Sequence, residues 1–114
     1  MIAVIFEVEI AAGQKGAYLE TAAELRGLLE QTEGFVSVER FQSLTAADKL
    51  LSLSFWQDET AVQRWRRLAE HRSAQERGRA GIFADYRLRV AGVIRDYGMT
   101  NREQAPPCSR AVHG

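Results

Sequence analysis

A chain of 114 residues fits one domain and leaves no room for two, and its 46% hydrophobic and 26% charged content is ordinary for a globular protein. Fifteen acids balance fifteen bases, which argues against nucleic acid as a partner, because phosphate binding needs a net basic face. The single cysteine, Cys108, excludes an internal disulfide and fits a reducing compartment; no apolar run approaches the ~20 residues of a membrane span, so the expected location is the cytoplasm.

Ile2, Val4, Phe6, Val8 and Ile10 alternate with Ala3, Ile5, Glu7 and Glu9. A period of two with acids in it marks a strand with one strongly apolar face, not a secretory leader. Gly13 and Gly16 bracket a break, after which Tyr18, Ala22, Leu25 and Leu29 recur at helical spacing. This amphipathic helix is expected to stop between Thr32 and Gly34.

Phe35 to Ser43 alternates again and is rich in β-formers. Leu44 to Lys49 reads as a polar turn, and Leu50 to Trp56 as a third strand with Leu51, Leu53 and Phe55 on one face, completing a hairpin. Asp58 is a good N-cap, and Glu59 sits where the helix dipole favours an acid. Val62, Trp65, Leu68 and Ala69 stripe a second helix whose character could extend to Arg77, before Gly78 or Gly81 stops it. Tyr86 to Tyr97 reads as the last strand. The division expected is a domain over residues 1–98 and a loose polar tail over 99–114, with Pro106 and Pro107 in it.

The order β-α-β-β-α-β is that of α+β ferredoxin-like folds, a four-stranded antiparallel sheet with both helices on one face and strand one beside strand four. With apolar faces aligned, Glu7 and Glu9 share the other face with Arg87, Arg89 and Arg95. That face is too apolar, through Ile5, Ala91 and Val93, to be wholly solvated and too charged to be a core. It reads as a sheet face that packs on a second subunit.

The stretch Phe55-Trp56-Gln57-Asp58-Glu59 through Trp65, followed by Glu70-His71-Arg72-Ser73-Ala74-Gln75 and by Tyr86-x-x-x-Val90, resembles the antibiotic-biosynthesis-monooxygenase domain over about residues 1–98. The resemblance implies a dimeric α+β barrel with a cavity between helices and sheet in each subunit. Some such proteins oxidise aromatic polyketides with molecular oxygen and neither metal nor flavin, and others degrade haem. The haem-degrading pattern pairs a tryptophan on the second helix with an iron-ligating histidine ten residues on and an asparagine on strand one. Trp65 matches the tryptophan, but the histidine position falls on Gln75, a poor iron ligand, and the asparagine position on or beside Phe6. Haem is therefore disfavoured but kept as the weaker alternative, and no other cofactor is expected.

Within the chain itself, Trp65 is either core or a cavity wall stacking on a flat ligand. His71 is either a surface residue steadied by Glu70 and the helix dipole or a general base, and Gln75 at i+4 could share its ligand. Phe6 and Tyr86 complete the candidate substrate contacts. Arg64, Arg66, Arg67, Arg72, Arg77 and Arg79 make the second helix basic, either a solvated face partnered by Glu70 and Glu76 or a means of steering an anion. No zinc spacing, phosphate loop, dinucleotide fingerprint or nucleophile signature is present. Three readings follow: a cofactor-independent, quinone-forming monooxygenase acting on a small aromatic, with His71 as base; a non-catalytic homodimer binding a small hydrophobic molecule; and, more weakly, a haem degrader.

Overall fold

The alternating N-terminal run forms β1 (Ile2–Ile10), followed by α1 (Lys15–Gln31), β2 (Phe35–Gln42), β3 (Lys49–Trp56), α2 (Glu59–Gln75) and β4 (Phe83–Gly92). This computed structural model describes residues 1–75 and 81–108, and the side chains among them outside 70–75. The strands form one antiparallel sheet in the order β2-β3-β1-β4. The ferredoxin-like α+β arrangement expected from the sequence is thus present, with strand one between strands three and four. No described helix is long and apolar enough to cross a membrane.

Local chemistry sets the boundaries. Gly34 takes φ +89° where α1 hands over to β2, a conformation glycine adopts without a Cβ clash. Asp58 caps α2 through its Oδ1, which accepts from the backbone N–H of Ala61 at 2.9 Å, and Glu59 occupies the first turn. The last strand starts three residues before Tyr86 and stops at Gly92 instead of Tyr97. At its start, Asp85 pairs with Glu9 but Phe83 with Ile10; the extra residue Ala84 makes a bulge that breaks the period of two. At its end, the Val93 N–H bonds to Met1 O and β1 offers no further partner.

The segment after Gly98 is not loose where it is described. Asp96 N–H donates to Gln104 Oε1 (2.8 Å) and Arg102 Nη1 to Gly98 O (3.1 Å). The Arg102 guanidinium lies over the Tyr97 ring at 5.3 Å, and Ala105 is buried. These side-chain-to-backbone bonds fold a stretch whose composition alone reads as tail.

The even-numbered positions of β1 and β3 face the helices, and their buried side chains fall into two clusters. One joins Val8, Ile10, Tyr18, Leu50 and Ile82. The other joins Leu29, Trp56, Ala61 and Val62, with Trp65 and Val4 packed against it. On the opposite sheet face, Glu7 bonds diagonally to Arg89 (3.4 Å) and to Lys49 (3.8 Å), as the charge pattern anticipates. Glu9 differs: its neighbours are Asp85 and Lys49, because the register carries it beyond Arg87, the first arginine of β4.

A cavity between the helices and the sheet

The two core clusters leave a gap between them. It is a cavity of about 760 Å³ bounded by α1, α2 and the helix-facing side of the sheet. Protein interiors hold few voids larger than a water molecule, whereas small-molecule sites span roughly 300–1,000 Å³. The volume falls within that second range.

Its floor is two rows of cross-strand partners. Arg40, Ser52, Phe6 and Leu88 lie side by side from β2 to β4, and Val38, Ser54, Val4 and Val90 form the next row. The floor therefore grades from polar at β2 and β3 to apolar at β1 and β4. β3 explains the gradient: its helix-facing residues are Leu50, Ser52, Ser54 and Trp56, while Leu51, Leu53 and Phe55 look away from the helices. The serines leave volume and hydroxyls where larger side chains would have filled the interior.

Aromatic rings wall the cavity. Trp56 is 1% exposed, its Nε1–H donates to Ser54 Oγ at 2.9 Å, and its ring lies 6.3 Å from that of Trp65 at 33°. Phe6, Phe83 and Tyr18 close the other end, with Phe83 centred 5.9 Å from both other rings. Phe83, Leu88 and Val90 are lining residues that are also exposed, so the cavity opens along β4.

Of the residues singled out in the sequence, Phe6 and Trp65 line this cavity. Tyr86 is not a lining residue. It is 61% exposed and packs on two that are, Phe6 (5.6 Å) and Phe83 (6.2 Å). The side chains of His71 and Gln75 lie outside the described residues; the backbone of both belongs to α2. The arginines of α2 are exposed where described: Arg64 pairs with Glu33 beyond α1, at 3.9 Å, Arg66 also borders the cavity, and Arg67 does not. Arg72, Arg77 and Arg79 lie outside the described side chains. Sequence reasoning missed Arg40, Ser52, Ser54 and the lining role of Trp56. The available signal was parity, since Val38 and Arg40 alternate in step with Ser52 and Ser54 once the hairpin register is set.

The described lining contains no histidine, cysteine, methionine or carboxylate, and no group of three or more His, Cys, Asp or Glu able to hold a metal occurs among the described residues. Tyr18 is the only described lining residue of a type that ligates haem iron. The described donors therefore do not make a haem site of the histidine kind.

A four-stranded antiparallel sheet under two helices, with an aromatic-walled cavity between them, defines a class of small ferredoxin-like α+β proteins. Within it, this chain belongs to the antibiotic biosynthesis monooxygenase family, whose model matches residues 1–77. It is 46% identical over 93 residues to the jasmonate monooxygenase ABM of Pyricularia oryzae; the match takes in 82% of this chain but only 43% of that longer protein. It is 36% identical over 94 residues to the uncharacterized protein YqjZ of Bacillus subtilis, covering 82% of this chain and 79% of YqjZ. Among solved structures, a proposed antibiotic biosynthesis monooxygenase of Deinococcus radiodurans superposes with TM-score 0.73 at 11% identity, over 86% of this chain and 97% of its own. The haem degrader MhuD of Mycobacterium tuberculosis, with two haems in its active site, gives 0.70 at 19% identity, over 86% and 100%. At such identities these two share the fold alone.

Proposed function

We propose that the chain is a cofactor-independent monooxygenase that oxidises a small aromatic with molecular oxygen, acting as a cytoplasmic homodimer. The observation that carries the reading is the 760 Å³ cavity with its aromatic walls, sized for two or three fused rings and opening at one strand. Membership of a monooxygenase family and the small-molecule oxidation named for the Pyricularia oryzae relative support it.

The chemistry asks little of the protein. An electron-rich phenol that has lost its proton passes one electron to oxygen; the radical pair joins as a peroxide, which loses water to leave a quinone. One oxygen atom enters the product and the other leaves as water. The cavity binds the ring, keeps bulk water from the intermediates and fixes their orientation. His71 on α2 is the base that takes the phenol proton, Gln75 shares the polar contact, and Trp65 and Phe6 hold the ring, with Tyr86 behind Phe6.

Oxygen consumption with a panel of dihydroxynaphthalenes and anthrones, without added flavin or metal and with a chelator present, tests the reading. Turnover is expected with at least one of them. His71→Ala is expected to lower kcat by about 10²–10⁴-fold, the usual worth of a general base, and Trp65→Phe to raise KM. Should both variants consume oxygen at the wild-type rate, the site lies elsewhere. The apolar, aromatic character of most of the described lining fits a second reading as well, a non-catalytic small-molecule-binding dimer; tight binding without turnover across the panel would establish it. A Soret shift on adding haem would revive the haem-degrading alternative.

A further inference from the structure

The polar corner of the cavity carries charge that the proposed oxidation does not use. Arg40 on β2 lines it directly opposite Ser52 on β3. Its Nε is shielded from water and has no hydrogen-bond partner, and no carboxylate bonds to Arg40 among the described residues. A second guanidinium, that of the exposed Arg66 on α2, reaches the rim of the same space, and no acid does so among the described lining residues. A half-buried guanidinium that faces no acid carries its charge uncompensated and raises the potential of that corner of the cavity.

We infer that the ligand carries a carboxylate, and that Arg40 holds it. The inference rests on the reading of this cavity as a small-molecule site. The part of the guanidinium that lines the cavity presents a planar fork of N–H donors, which matches the two oxygens of a carboxylate better than the single oxygen of a phenolate. The Ser52 hydroxyl lies across the strand pair to add a third donor. The rest of the same row then fixes the pose. Strands sit about 4.8 Å apart, so an acid group at Arg40 places an aromatic body over Phe6 and Leu88, two and three strands away, and points it toward the opening at β4. The substrate class is a flat or apolar carboxylic acid about two rings long.

Calorimetric titration of the full chain with 6-hydroxy-2-naphthoate and with its methyl ester tests this. The two differ only at the carboxylate. Wild type is expected to bind the acid at least about tenfold tighter than the ester, the worth of one charge-assisted pair. Arg40→Gln is expected to weaken the acid to the level of the ester while leaving the ester unchanged, which also reports that the variant is folded. Arg40→Lys keeps part of the preference, and Arg66→Gln keeps most of it. Equal affinity of acid and ester for wild type overturns the carboxylate assignment but leaves the cavity reading standing, and so does an Arg40→Gln variant that still prefers the acid. If neither compound binds, the cavity reading fails and the inference falls with it.

Discussion

Gly34 shows how much one residue can hold at the junction of three elements. Its φ of +89° is in the left-handed region, and a Cβ built there would come 2.5 Å from the Cβ of Ala61, a fully buried residue in the first turn of α2. Its carbonyl accepts the N–H of Gln57 at 2.8 Å, tying the start of β2 to the end of β3. Gly13 has a similar φ of +76° but open space around it. The pair separates backbone strain from crowding. Gly13→Ala is expected to lose about 1 kcal/mol, the conformational term alone, and Gly34→Ala about 3 kcal/mol, because the helix must also shift. Urea unfolding of both variants checks this; equal losses would mean that the approach of α2 to β2 is not tight. That approach sets where Val62 and Trp65 stand over the sheet, so ligand affinity is expected to fall with Gly34→Ala and not with Gly13→Ala.

At the scale of elements, α2 matters most, because it carries Trp65 into the cavity, Arg66 to its rim, and His71 and Gln75 further along. Its start is fixed by Asp58. Asp58→Ala is expected to cost about 1 kcal/mol, and Asp58→Asn much less, since asparagine caps equally well; denaturant midpoints distinguish the two. This cap was legible in the sequence, as were the number, type and order of the elements, because each carries its own period and stop signal. What was not legible depends on neighbours. The bulge at Ala84 hides the start of β4, since an extra residue reverses the alternation that marks a strand. The facing of β3 is the instructive case. Its apolar set Leu51, Leu53 and Phe55 invites assignment to the core under the helices, yet the serines occupy that side. A cavity inverts the usual rule, because the ligand supplies part of the apolar volume. Arg40 stayed hidden for the same reason, an exposed-looking residue on an edge strand whose importance lies in the row it shares with Ser52 and Phe6. Trp65 and Phe6 were found because aromatics are conspicuous by size alone.

The outward turn of Leu51, Leu53 and Phe55 has its consequence at the scale of the whole molecule. Together with Ile5 and the half-exposed Phe41 they make an apolar sheet face, crossed by the charges of Glu7, Arg89 and Lys49, which already satisfy one another. Those ion pairs are partly exposed and each contributes at most about 1 kcal/mol, so they cannot account for the surface; the hydrocarbon around them is what needs cover. Along one side runs β4, ten residues exposed from end to end, an edge of the sort that soluble proteins seldom leave open. A formal net charge of zero adds no long-range repulsion between copies. A second copy related by a two-fold axis would bring the same strip against itself and cover the apolar rows on both molecules. Sedimentation equilibrium at micromolar concentration is therefore expected to give twice the 12.8 kDa chain mass, with a Tm that rises with protein concentration. Leu53→Arg, at the centre of the strip and away from the cavity, is expected to give a monomer whose Tm no longer depends on concentration. A wild-type chain that sediments as a monomer would leave the outward leucines unexplained and remove the dimer from the proposal, while the cavity on the other face of the sheet would keep its lining.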